Sequence, residues 1–417
     1  MNARRRFASV ATAGITFQAG SAAVDSATIM SALVFQLSGS TILVGAVTAI
    51  LRFGWLFPQL IVGYLAQNSG ASMPFYVIGA FGRALCVACL AGVPFIGADW
   101  PSSILITSIM VLWTAYAFVS GIVAVPYNDI VARSVSSELR SRLLATRFFG
   151  GGVLALGVVA IADHFVDGLP FPVSYAGILA MSAALMFISS GVFTAMGEPG
   201  NQRSPHSQSK PTFFQYLKEG RVVFQSDKRF RLFVFAQWCG GAALMATPFY
   251  IVQANAAGIN FENVALLLGS QTAGALSSNA LWGWWGDRLG KCSLLRAVAA
   301  ARSVPPAIVI LIAATDTETT ALTLPIYVLL FFVLGALANG LTIAVIGFLM
   351  EISPDDRRPA YSGYFNAMTA PAFLLPLLAG IVAAAFGLLW VFAISLVAAL
   401  MQVIILARVD ERPANNS

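Results

Sequence analysis

Two ionisable residues stand inside stretches that are otherwise apolar: Asp25 in the first such stretch and Arg52 in the second. A carboxylate there can take up and release a proton, and a guanidinium can neutralise it or hold an anion. Ionisable groups at a bilayer centre cost at least about 2.5 to 3.5 kcal/mol, so each needs a partner or a wet cavity. Asp25 lies 12 residues before the turn that follows Leu37, and Arg52 lies 11 residues after Thr41 on the returning run. At about 1.5 Å per residue both would sit roughly 17 Å below that turn. The spacing predicts an ion pair between neighbouring helices. If the partner can be withdrawn as the protein changes shape, proton binding becomes linked to conformation. A permanent bridge that only joins two helices is the plainer reading of the same pair.

Polar stripes accompany the pair. Gln18, Ser21, Asp25 and Thr28 recur at helical spacing, as do Thr48, Arg52, Trp55 and Gln59. Such stripes on apolar helices face protein or water. In the second half of the chain the candidate cavity groups are neutral: Tyr250, Gln253, Gln271, Thr272, Ser278, Asn279, Asn339 and Asn366. The substrate-binding set read from these patterns is Gln18, Trp55, Gln59, Trp113, Tyr116, Tyr250, Gln253, Thr272, Asn279, Asn339 and Asn366, with Asp25 and Arg52 as the proton-coupling pair. Ion coupling is assigned to the first half and substrate fit to the second. Arg83 and Arg302, one third into matching runs, are read as snorkelling to the surface.

Enzyme chemistry finds no footing. His164 and His206 lie far from each other and from any candidate nucleophile, and there is no G-x-x-x-x-G-K-[ST] loop. Cys86 and Cys89 spell C-x-x-C within an apolar run, and with Cys239 and Cys292 they are read as small buried thiols. No catalytic residue, metal or cofactor is expected.

The elements that must carry these groups follow from composition. The chain has 417 residues, 58% of them hydrophobic and only 10% charged, which is too little polar surface to enclose a water-soluble core. A helical span needs about 20 apolar residues. Runs at 7–37, 41–66, 74–97, 102–128, 142–163, 172–196, 230–255, 261–286, 292–314, 322–350, 359–386 and 387–408 give twelve. The weakest separations are at 37–41 and 386–387. Pro58, Pro126, Pro248, Pro371 and Pro376 are expected to bend their helices. The fold class is an all-α membrane protein.

Nearly all Lys and Arg fall at the start, in alternate loops and in the tail. The other loops carry Asp99, Asp163, Asp167, Glu262, Asp316 and Glu318 and no base. This positive-inside asymmetry places both termini in the cytoplasm of a multi-pass cell-membrane protein. It also explains the net charge of +6 without nucleic acid. The longest polar stretch, 197–229, links an N-terminal bundle (1–196) to a C-terminal one (230–408), with a cytoplasmic tail at 409–417. Residues 213–224 have the spacing of an amphipathic helix.

The halves overlay at a constant offset, without gaps over their first three spans, which sets Gly63-Tyr64-Leu65-Ala66-Gln67-Asn68-Ser69-Gly70 on Gly283-Trp284-Trp285-Gly286-Asp287-Arg288-Leu289-Gly290. The stretch at 283–291, G-W-W-G-D-R-L-G-K, resembles the loop signature of the major facilitator superfamily of secondary transporters. The first-half copy departs from the signature, with Gln67 and Asn68 in place of Asp and a base. The resemblance implies two pseudo-symmetric six-helix bundles, with a substrate site between them near the midplane. It implies a cytoplasmic gate in which Asp287 and Arg288 dock against the Asp129, Arg133 and Arg142 corner when the protein opens outward. Lys291, Glu351 and Arg358 belong to the same gate. The expected function is secondary active transport of a small solute by alternating access, proton-coupled, for an anionic or zwitterionic compound. Efflux antiport and a transporter-like receptor or scaffold are the alternatives. The expected partners are membrane lipid, a small-molecule substrate and the proton, with the chain acting as a monomer.

Overall fold

The computed structural model describes residues 3–69, 72–135, 137–198, 213–314, 322–353 and 358–409, and their regular structure is helical. In the first half the helices are α1 (Ala3–Ala22), α2 (Ile29–Ser38), α3 (Thr41–Ser69), α4 (Met73–Ile96), α5 (Ser102–Ser134), α6 (Ser137–Gly168) and α7 (Val173–Ala195). After the linker helix α8 (Phe213–Ser226) come α9 (Lys228–Leu244), α10 (Phe249–Ala256), α11 (Val264–Arg288), α12 (Lys291–Ala301), α13 (Val304–Ala314), α14 (Thr323–Ile352), α15 (Arg358–Thr369), α16 (Leu375–Phe386) and α17 (Leu388–Ala407). Among the described residues ten helical segments are long and apolar enough to cross a membrane, and α2 is a shorter apolar one.

The run expected to be one helix over 7–37 is broken. Asp25 Oδ1 accepts from the backbone N–H groups of Ala27 (3.0 Å) and Thr28 (2.9 Å) and from the Thr28 hydroxyl (2.8 Å). A short acidic side chain that bonds its own backbone competes with the helical ladder, so α1 ends and α2 restarts. Prolines explain the other breaks. Pro248 starts α10, and a 3-10 turn over Ala370–Leu374 containing Pro371 leads into α16 with Pro376 in its first turn. Pro58 and Pro126, by contrast, lie inside unbroken helices. The two weakest separations are both real turns. Gly39 adopts φ 62° and Gly387 φ 97°, conformations that side chains with a Cβ rarely take.

Within the first half α1 packs on α6 and α7, α3 on α5, and α4 on α5 and α7; within the second, α11 packs on α14, α9 on α17, and α12 on α14. The halves meet through α3 with α16 and α6 with α11. Glycine sets both closest approaches of α3 to α16. Gly45 faces the Pro376 carbonyl, Gly380 faces the Thr41 carbonyl, and the Thr41 hydroxyl donates to Gly380 O at 3.1 Å. Phe35 and Phe261 join there, with ring centroids 6.3 Å apart. These contacts lie at the acidic face, the end of the bundle that carries the acidic loops; the basic face is opposite. The halves are thus closed at the acidic face.

Candidate functional site

A cavity of about 290 Å³ lies between the halves, lined by Gln18, Ser21 and Asp25 from the first span, Gly152 and Ala155 of α6, Gln271, Thr272 and Asn279 of α11, and Gly335 and Asn339 of α14. Small residues create its second-half wall. Gly274 lies against the Phe332 carbonyl and Gly335 against the Gln271 carbonyl, so α11 and α14 approach backbone to backbone. At that crossing Asn339 Nδ2 donates to Asn279 Oδ1 (3.0 Å) and to Ala275 O (3.0 Å). The structure therefore brings Gln18, Asp25, Thr272, Asn279 and Asn339 to one space, as the polar stripes imply. Asp25 is the only ionisable side chain among the described residues lining it.

Asp25 and Arg52 do not form the expected direct ion pair. The Thr48 hydroxyl reaches Ser26 O at 3.5 Å, which puts this part of α3 at the depth of the break, and the two charges are near enough to act on each other. Yet the break turns the carboxylate back onto Ala27 and Thr28. The Arg52 guanidinium lies 5.8 Å from the centroid of the Phe373 ring of the other half. Arg52 is exposed although helices surround it, as a group facing a wide internal opening should be.

Several expected cavity residues are packing groups instead. Trp113 is fully buried, donates from Nε1 to Val47 O at 2.9 Å, and stacks on buried Tyr116. The pair ties α5 to α3. Tyr250 and Gln253 are buried in α10, Tyr250 against Phe392. Periodicity marks a helix face as inward, but it does not separate a face turned to a neighbouring helix from one turned to a cavity. Trp55 and Asn366 are exposed, and Gln59 donates to Trp55 O of its own helix at 2.7 Å. Of the cysteines only Cys292 is buried; Cys86 and Cys239 are half-buried and Cys89 is exposed.

Arg83 and Arg302 do not snorkel. They are 6% and 7% exposed. Arg302 donates to Gln402 Oε1 (3.2 Å) and to Gly240 O (2.5 Å), closing the break between α12 and α13 against α9 and α17.

Residues 233–417 match the family described as Major Facilitator Superfamily. The whole chain also superposes on solved transporters. A mutant of the nucleoside transporter NupG aligns at TM-score 0.71 and 14% identity over 98% of this chain and 100% of that one. A bacterial homologue of the iron transporter ferroportin, in its inward-facing state, aligns at 0.69 and 14% over 99% and 100%. The chain has the major facilitator fold. The family match covers the second half, and the first half shares the fold alone. An auto-inhibited peptide transporter of the POT family aligns at 0.70 and 11% over 99% of both chains. No curated protein matches the chain by sequence.

The charged corners differ between the halves. Arg133 Nη2 bridges Asp129 Oδ2 (2.6 Å) and Glu198 Oε1 (2.6 Å), and the Ser72 hydroxyl donates to Asp129 Oδ2 (2.5 Å). Glu198 also accepts from the Ser72 and Met73 N–H groups (2.9 and 3.0 Å) at the start of α4. Burial works against the Glu198 charge, but Arg133 and these amides outweigh it and hold the carboxyl below its ordinary value. Glu198 is not among the expected gate residues; its one sequence signal is position, an acid directly after the last first-half span. In the second half Asp287 accepts from Lys291 at 2.8 Å on its own corner, and Arg288 and Glu351 are exposed. Asp287 therefore does not dock on the first-half corner in this conformation. The side chains of Gln67, Asn68, Arg142 and Arg358 lie outside the described residues.

Proposed function

We propose that this chain is a secondary active transporter that moves a small solute by alternating exposure of the space between its halves. Twelve spans carry it: the ten apolar segments together with the broken α1 and α2 pair and the more polar α11. They form bundles 1–196 and 230–408, joined by the linker 197–229, with both termini and the tail 409–417 in the cytoplasm. The observation that carries the reading is the polar cavity lined by both halves, with a single carboxylate in its wall. The conformation is consistent with an inward-facing state. The acidic face is closed by Gly45, Gly380 and Thr41, and the ferroportin homologue aligns better in its inward-facing state (0.69) than in its outward-facing one (0.61). Solved structures of this fold are described as a nucleoside transporter, a homologue of an iron transporter and a peptide transporter, so the fold does not select the solute.

Asp25 is the proton-coupling group in this reading, and the break gives it a mechanical output. Protonating the carboxyl at Oδ2 removes the negative charge and leaves Oδ1 a weaker, neutral acceptor for its three donors, which loosens the junction between α1 and α2. Helix α2 packs on α10 and α11, so the junction reaches the second half. Arg52, without an ion pair and open to the interior, favours an anionic or zwitterionic solute. The test is made in sealed proteoliposomes with a solute found by thermal-shift screening. Asp25→Asn should lose accumulation driven by an imposed pH gradient and keep counterflow exchange. Accumulation by the variant against a solute gradient would refute the proton role.

A further inference from the structure

The first half contains a second cavity, of about 220 Å³, enclosed by α1, α3, α4, α5, α6 and α7 rather than shared between the halves. It runs from Tyr76 and Asn128, near the basic face, to Arg83, which lies two turns further along α4 and thus about 10 Å deeper. Two guanidinium groups line it and, among the described residues, no carboxylate does. Arg83 is 6% exposed, makes no hydrogen bond to the described residues, and stacks its guanidinium 3.9 Å from the Phe17 ring centroid. Its Nε is buried without an acceptor. Arg147 donates to the Tyr127 hydroxyl at 3.0 Å, and its Nε also lacks a partner among the described residues. Gly14 makes room for this arrangement, since a Cβ there would collide with the Arg147 side chain.

The buried Arg83 forfeits hydration and is repelled by the half-buried Arg147 beside the same pocket, so the arrangement is costly unless an anion joins it. Stacking on Phe17 leaves the edge of the Arg83 guanidinium as its free hydrogen-bonding surface, and that edge matches a bidentate oxyanion. The rest of the wall, with Trp55, Tyr76 and Tyr127, suits a flat apolar body. We infer that this first-half pocket binds the carboxylate of a small planar organic anion, held by Arg83 and Arg147. The site is separate from the cavity that contains Asp25, and it stands whether or not that cavity transports.

Calorimetric titration of the purified full-length chain with benzoate tests this, with benzamide as the neutral analogue of the same shape. Benzoate should bind saturably at one site, and benzamide at least about tenfold more weakly, the difference expected for losing charge-assisted hydrogen bonds. Arg83→Gln and Arg147→Gln should each weaken benzoate by a similar factor. Gly14→Ala should do so too by displacing Arg147 without removing charge, which keeps the test valid if either arginine variant fails to fold. Arg221→Gln, on α8, controls for general attraction of anions and should leave the titration unchanged. No saturable binding, equal binding of benzamide, or full benzoate affinity in a folded Arg83→Gln protein would each overturn the site.

Discussion

Arg83 and Arg302 stand at nearly equivalent places in the two halves, one residue apart in register and both almost wholly buried, yet they live in opposite circumstances. In the second half the carbonyl of Gly240 and the amide of Gln402 receive Arg302. In the first half Gly20 is the counterpart of Gly240, and its carbonyl is taken by the Ser182 hydroxyl at 2.7 Å. Ser182 packs against Gly20 as Gln402 packs against Gly240. With that acceptor satisfied by a smaller group, Arg83 has no acceptor among the described residues and faces the pocket instead. Two halves of similar helix order thus make one arginine a structural brace and leave the other without an acceptor among the described residues. A buried charge with fixed acceptors contributes to the fold, whereas a buried charge without them waits for a ligand.

The sharpest way to break this comparison is to remove each arginine in turn and follow thermal unfolding in detergent. Arg302→Leu strands two buried acceptors and should cost about 3 kcal/mol. Arg83→Gln, which deletes an uncompensated cation, should cost less than about 1 kcal/mol or even stabilise the protein. Equal losses would show the two residues to be the same brace. Ser182→Ala should next cost about 1 kcal/mol by freeing the Gly20 carbonyl. Trp113→Phe, losing one buried bond to Val47 O, should cost a similar or smaller amount while leaving binding at both cavities intact.

The smallest effect concerns the two charged corners. Glu198 has a lowered folded-state pKa, so its contribution is fully present above the ordinary value of 4.5 and is lost as pH falls through the lower folded value. Glu198→Gln should remove this pH dependence and increase protease cleavage of the linker at neutral pH. The exposed Asp287 and Lys291 pair should give no comparable step when Asp287→Asn is made. A step of equal size there would remove the distinction between the corners.

Much of the architecture was legible in the sequence. Apolar runs placed the helices, Gly39 and Gly387 made the turns their positions suggested, and the stripes led to Gln18, Asp25, Thr272, Asn279 and Asn339 in one cavity. The same signals failed at Trp113, Tyr116, Tyr250 and Gln253, because an inward face is the same pattern whether a helix or a void lies opposite. They failed at Asp25 for a different reason. Depth counted along an ideal helix assumes that the helix continues, and this carboxylate ends it by bonding Ala27 and Thr28. Glu198 escaped because its partners, Ser72, Asp129 and Arg133, are distant along the chain.

The sequence by itself determined that the chain is helical and membrane-spanning, since this follows from how many apolar residues occur in a row. Tertiary structure alone decided which buried arginine is satisfied. That depends on whether a carbonyl such as that of Gly20 or Gly240 has already been taken by a neighbour contributed from another helix, and no local pattern of residue types records the outcome.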